Sequence, residues 1–330
     1  MKKIIYVSNY LDEEIQVLQI DNNLSLQTIQ KIKIKSQAQP LIISENKKLL
    51  YAGVRPIPKI IVYKILDDGI LQKIYEIATI GAPNHLAFNN DKTLLFCSSY
   101  HGECISIFLI NKHGLPYKLI NTITNIKGCH YSIYINTNTI ITTALKSDQI
   151  LIFNSLKNEN FLEKKITAIN VTKKSGPRHL VLHPFKSILY SINELNSTID
   201  VWFLSNAMNM LHFVQRIKIL PESYKGNCWG ADIHITPCGN YLYASDRITN
   251  IITAFIINQY NGKIQILEYY VTEKQPRSFN IDNLGKYLAV TGEKSNNLTL
   301  YEIKLNTGHL NKIGSYPVGN NPIWTLIHSI

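Results

Sequence analysis

The chain is short of acid: 23 Asp and Glu stand against 34 Lys and Arg over 330 residues, for a net charge of +11. Cysteine is scarce too, and the five present (Cys97, Cys104, Cys129, Cys228, Cys238) are odd in number with no Cys-x-x-Cys spacing. That argues against a disulfide framework and a structural zinc, and fits a reducing cytoplasm. No set of His, Cys, Asp and Glu has metal-ligand spacing, so no metal is expected. No apolar run approaches the roughly 18 residues of a membrane-spanning helix. After Lys2-Lys3 only Ile4 to Val7 are apolar before Ser8-Asn9, too short for a secretory leader. Neither a G-x-S-x-G nucleophile elbow nor a Walker loop occurs. The lysines are scattered, without a basic patch interleaved with stacking aromatics, which argues against a nucleic-acid partner. Helical periodicity of useful length is missing as well.

What is present is a repeat. An apolar run ending in a polar or charged residue recurs seven times, as in Leu50-Tyr51-Ala52-Gly53-Val54-Arg55, Leu95-Phe96-Cys97-Ser98-Ser99-Tyr100 and Leu242-Tyr243-Ala244-Ser245-Asp246-Arg247. The closing residues are Tyr10, Arg55, Tyr100, Lys146, Glu194, Arg247 and Glu293, spaced 45, 45, 46, 48, 53 and 46 apart. Each run is followed by a second stretch rich in β-branched and aromatic residues, such as Ile199-Asp200-Val201-Trp202. Each is preceded by an anchor such as Gly176-Pro177 or Gln275-Pro276 that opens another strand. A unit of about 47 residues with about four short strands is the content of a β-propeller blade. The last anchor, Asn321-Pro322, starts a strand just before the chain ends, and the N-terminus opens directly on the second-strand phrase. The unit begun by the last residues is therefore completed by the first, which leaves no open sheet edge. The expectation is all-β: a closed seven-bladed β-propeller forming a single domain over 1–330. Residues 203–228, the irregular stretch, are expected to form a longer loop.

Strands alternate direction within a blade, so the residue after each anchor and the residue closing each phrase share one rim. The first column reads Leu41, Asn84, His130, Arg178, Ala231, Arg277, Ile323. The second holds Arg55, Lys146, Glu194, Arg247 and Glu293 with two tyrosines. Charges at strand ends are often merely solvated, but so many cations with a histidine and glutamates on one concave face suit an anionic ligand and proton transfer. His85, His179, His183 and His234 lie in strands and read instead as core or supporting histidines.

At these residues the chain resembles the bacterial propeller-type 6-phosphogluconolactonases of the cycloisomerase 2 family. The resemblance is carried by Gly53-Val54-Arg55-Pro56, Gly128-Cys129-His130, Ala144-Leu145-Lys146-Ser147-Asp148-Gln149-Ile150, Gly176-Pro177-Arg178-His179, Asn193-Glu194-Leu195-Asn196-Ser197, Ala231-Asp232-Ile233-His234 and Gln275-Pro276-Arg277-Ser278-Phe279-Asn280. It runs the length of the chain, departing at Ser278, where glycine is common, and at Cys238, where aspartate is usual. It implies a seven-bladed propeller and hydrolysis of 6-phospho-D-glucono-1,5-lactone in the oxidative pentose phosphate pathway. The expectation is a cytoplasmic monomer acting on a small anionic phosphosugar lactone, without a cofactor and without a nucleic-acid or membrane partner. Carboxymuconate-lactonizing relatives place a His, two Arg and a Glu on His130, Arg178, Arg277 and Glu194. In lactone hydrolysis His130 would take the water proton, Glu194 would orient it or act as the base itself, and Arg178 and Arg277 would hold the oxyanion. Arg55, Lys146 and Arg247 are the candidates for the phosphate. A carboxymuconate-type cycloisomerase and a non-catalytic protein-binding propeller are the alternatives, the latter requiring an apolar patch in place of converging charges.

Overall fold

The computed structural model describes residues 2–135, 139–154, 167–205 and 210–330. Its described strands form seven four-stranded sheets. Sheet I joins Pro322–Ser329 to Lys3–Asn9, Glu14–Ile20 and Leu26–Lys33. Sheet II holds Gln37–Ser44, Leu49–Arg55, Lys59–Ile65 and Leu71–Ala78, and sheet III His85–Phe88, Leu94–Ser99, Cys104–Ile110 and Pro116–Ile123. Sheet IV holds Cys129–Ile135, Thr139–Ala144, Gln149–Asn154 and Thr167–Asn170. Sheet V holds Pro177–Leu182, Ile188–Asn193, Thr198–Ser205 and Met210–Lys218, and sheet VI Gly230–Ile235, Tyr241–Asp246, Ile251–Ile257 and Ile264–Val271. Sheet VII holds Pro276–Ile281, Tyr287–Gly292, Asn297–Ile303 and Leu310–Pro317.

The repeat is visible in the sequence because of what each strand buries. Second strands are enclosed on both faces: every residue of Ile188–Asn193, Tyr241–Asp246 and Tyr287–Gly292 is buried. A strand without a wet face reads as a continuous apolar run. Fourth strands such as Leu71–Ala78 alternate with solvent and leave a weaker trace.

The chain divides into two compact units, one containing residues up to Lys33 with Arg178–Ile330, the other Ile34–Pro177. In the first, C-terminal and N-terminal strands pair in one sheet as the repeat boundaries require, with Ile5 opposite Ile327 and Val7 opposite Thr325. Its apolar core fills the spaces between consecutive sheets: Tyr190, Val201, Leu242 and Phe255 between V and VI, Tyr243, Phe279 and Val290 between VI and VII, Val7 and Leu300 between VII and I. The second unit does the same with Tyr51, Val62 and Phe108, then Phe96, Ile140 and Phe153. Each such side chain contributes about 1.5–3 kcal/mol by leaving water.

A polar latch repeats beside this packing. Tyr51, Tyr190 and Tyr243 occupy the same phrase position and donate their hydroxyls to the carbonyls of Gly114, Gly262 and Gly308, at 2.5, 2.9 and 2.7 Å. Each acceptor lies in the turn before the fourth strand of the next sheet. Glycine is needed at Gly114, where φ is +85° and a Cβ would sit 2.6 Å from Leu49 Cδ1.

Two local expectations change. Within residues 203–228, 206–209 lie outside the described residues, while Thr198–Ser205 and Met210–Lys218 are paired strands, for example Phe203 with His212. The extra length falls instead in the connection 219–229, pinned by Thr253 Oγ1 donating to Ile219 O at 2.6 Å. Strand pairing satisfies backbone groups that a free loop would leave to water. In sheet II the first strand starts early, at Gln37, so Pro40 lies inside it. Arg55 therefore faces Gln37, and Leu41 lies opposite Ala52.

Candidate active site

Arg178 is the second residue of its strand, and its side chain is only 2% exposed. A buried guanidinium needs acceptors, and three surround it. Its Nε donates to Glu194 Oε2 at 2.9 Å and its Nη1 to Ala231 O at 2.5 Å. Nη1 also lies 2.9 Å from His179 Nε2. Since arginine only donates, that ring nitrogen accepts. The imidazole is neutral, and its proton sits on Nδ1, 2.7 Å from Asp232 Oδ1. Burial, reinforced by the Arg178 charge, pulls His179 down to about 4, consistent with that neutral state. Burial would raise the Asp232 carboxyl, yet its imidazole neighbours His234 and His179 outweigh that and hold it well below the usual range.

Glu194 closes the second-strand phrase of sheet V, and its Oε2 accepts a second guanidinium, Arg247 Nη2, at 3.0 Å. Burial disfavours its charge, but Arg178 and Arg247 outweigh it and the carboxyl is lowered. Arg247 is itself buried. It stacks 3.6 Å from the Trp229 ring centroid and donates to Gly230 O at 3.1 Å, while its buried Nε has no hydrogen-bond partner among the described residues. Burial first, then the Arg178 charge, brings Arg247 down to about 9. Arg277, the most exposed of the three arginines at 22%, reaches Glu293 Oε1 at 3.4 Å, and Glu293 also accepts from Gln275. The two-column reading therefore holds in this unit: Arg178–Glu194 and Arg277–Glu293 are each pairs across one blade.

The second unit carries the other three candidates. His130 is buried at the start of its strand, with the Tyr100 ring edge-on at 5.9 Å. Lys146 lies in a single 3-10 turn after Thr139–Ala144, exposed, with its Nζ 4.8 Å above Tyr100 and 3.6 Å from Glu103 Oε1. Tyr100 thus bridges His130 and Lys146. Arg55 is half-buried and donates to Pro83 O at 3.1 Å.

Sequence reasoning passed over Trp229, Trp324 and Asp232. The long 219–229 connection delivers Trp229 beneath Arg247, and the 53-residue spacing was its trace. Trp324, half-buried, places its ring 6.3 Å from His179. No cluster of three or more His, Cys, Asp and Glu able to hold a metal occurs among the described residues, and no described helix is long and apolar enough to cross a membrane.

A lactonase family model, a seven-bladed β-propeller, matches residues 4–327. The chain belongs to the seven-bladed β-propeller lactonase family. Its seven four-stranded sheets are the blades. Among relatives, the 6-phosphogluconolactonase of Buchnera aphidicola subsp. Schizaphis graminum is 41% identical over 332 residues, covering 98% of both chains. The protein of the same name from the subspecies Acyrthosiphon pisum (strain APS) is 40% identical across 100% of both. A solved structure of a periplasmic gluconolactonase from Pseudomonas aeruginosa superposes with a TM-score of 0.89 at 17% identity, over 100% of this chain and 99% of that one. At that identity this last likeness concerns the propeller lactonase fold alone.

Proposed function

We propose that the chain hydrolyses 6-phospho-D-glucono-1,5-lactone to 6-phospho-D-gluconate, by attack of water on the lactone carbonyl. The observation that carries this is the identity of 41% over nearly all of both chains with a 6-phosphogluconolactonase. The reaction belongs to the oxidative pentose phosphate pathway. A cytoplasmic setting goes with it, in keeping with five cysteines that are all free thiols.

Three demands follow from the chemistry. The attacking water must lose a proton, and His130 is assigned this task, imidazole being the side chain suited to it near neutrality; when the tetrahedral intermediate collapses and the bond from the carbonyl carbon to the ring oxygen breaks, the same imidazolium returns that proton to the departing oxygen. Glu194 is assigned a different one: held as a carboxylate by two guanidiniums, it is a weak base and fixes the arginines. Charge developing on the carbonyl oxygen falls to Arg178 and Arg277, which stay charged and donate in a fixed fork. The phosphate falls to the accessible Lys146 and Arg55. Arg247, engaged by Glu194 and Trp229, adds positive field to the rim.

Acid release by the purified chain tests this, with 6-phosphogluconolactone, unphosphorylated glucono-1,5-lactone and carboxymuconolactone compared side by side. The phosphorylated substrate is expected to lead in kcat/KM by at least about tenfold, a charge-assisted contact being worth ~1.5–3 kcal/mol. Lys146→Ala and Arg55→Ala should narrow that lead. Equal rates on both gluconolactones would remove the phosphate assignment, and turnover of carboxymuconolactone alone would favour cycloisomerase chemistry.

A further inference from the structure

We propose that His179 and Asp232 are positioning residues for Arg178, aiming its guanidinium through a neutral imidazole whose proton is fixed on Nδ1. This rests on the lactonase reading, in which Arg178 meets the developing oxyanion.

Arg178, His179 and Asp232 are 2%, 3% and 4% exposed. A site needing only volume would be filled with apolar side chains, because burying charged groups is costly unless all are satisfied. Here the chain of donors and acceptors is consistent in direction. The Phe279 amide donates to Asp232 Oδ2 at 3.2 Å, and the Ile233 amide to Oδ1 at 2.9 Å. These bonds tie the carboxylate to the backbones of sheets VI and VII. Its Oδ1 fixes the His179 tautomer at 2.7 Å, which turns the Nε2 lone pair toward Arg178 at 2.9 Å. With Glu194 Oε2 and Ala231 O, the guanidinium is then held by acceptors from three segments.

The charged groups placed around this chain among the described residues are compatible with a neutral His179. Arg178 adjoins it, His234 Nε2 stands 3.4 Å from Asp232 Oδ1, and Glu194, Arg247, Arg277 and Glu293 lie around Arg178. A second proton on the ring would set a donor against a donor and put two like charges side by side. Asp232→Asn would bring a similar conflict. If the amide oxygen faces Phe279 N–H, its NH2 faces the imidazole and moves the ring proton to Nε2, against Arg178. Rotated the other way, the NH2 opposes the Phe279 amide.

Two measurements on the full chain test the proposal. In the wild type, 15N resonances of His179 should show a protonated Nδ1 and a bare Nε2 at pH 7. A protonated Nε2 would overturn it, whatever the variants do. In kinetics, His179→Leu should lower kcat by about 10²-fold, the cost of small misplacements at a reacting centre, while KM changes little. His179→Gln, which returns an acceptor oxygen toward Arg178, should recover about a tenth or more of the wild-type kcat. Unchanged kcat in His179→Leu, or equal losses in both variants with the fold intact, would overturn the proposal. A wild type inactive on 6-phosphogluconolactone but with the Nδ1–H tautomer would overturn the lactonase reading instead.

Discussion

A guanidinium surrounded by a carboxylate, a carbonyl and an imidazole nitrogen differs from a lysine on a solvated turn, although both read as one positive charge in the sequence. Arg178 is of the first kind and Lys146 of the second, while Arg247 is buried between Glu194, the Gly230 carbonyl and the Trp229 ring. Replacing a buried arginine therefore has two effects. Arg178→Ala should lower kcat/KM at least tenfold and also lower stability by about 3 kcal/mol, since Glu194 loses a partner in a buried pair. His130→Ala should lower kcat/KM by about 10²–10⁴-fold, the usual worth of a general base, with little effect on urea unfolding; wild-type turnover would remove it from the mechanism. His179 gives a pH signature. Its folded value is about 4, below the ordinary 6.5. Between those values the unfolded chain takes up a proton that the folded chain refuses, so stability falls as pH drops from about 6.5 toward 4 and this contribution then levels off. The full effect is about 3 kcal/mol, at 1.36 kcal/mol per pH unit. Urea midpoints of wild type and His179→Gln over pH 4–7 check it: the variant should show a shallower slope, and parallel curves would contradict it.

Blades are held by packing and by the tyrosine latch, and the two differ in how plainly the sequence carries them. The second strands announced themselves because both faces are dry. The latch was hidden: Tyr51, Tyr190 and Tyr243 looked like apolar members of the phrase, and their partners lie 63, 72 and 65 residues away. Glu194 and Arg178 were legible for the opposite reason, since 16 residues and one hairpin separate them. Asp232 and Trp229 were not, because their value lies in contacts between neighbouring strands that no local pattern records. Tyr243→Phe leaves the Gly308 carbonyl buried without its donor and should lower stability by about 1–2 kcal/mol. Tyr224→Phe, which removes an exposed hydroxyl contact to Asn227 O, should stay within about 0.5 kcal/mol. Equal urea midpoints for the two variants would deny the latch its role.

At the scale of the whole molecule, the repeat makes seven similar blades and the departures from it make the site. Sheet I shows how the termini are used, with Pro322–Ser329 beside Lys3–Asn9 leaving neither strand as an unpaired end. The surplus of basic residues adds a field that draws anions toward the protein and weakens with salt. The claim on which the rest depends is hydrolysis of a phosphorylated lactone, and 31P NMR measures it most directly. Fresh 6-phosphogluconolactone at pH 7 is followed as its signal converts to that of 6-phosphogluconate, with and without the purified chain. Conversion far faster than in buffer, and slowed by His130→Ala, is the expected result. Decay at the buffer rate with folded protein present would contradict it.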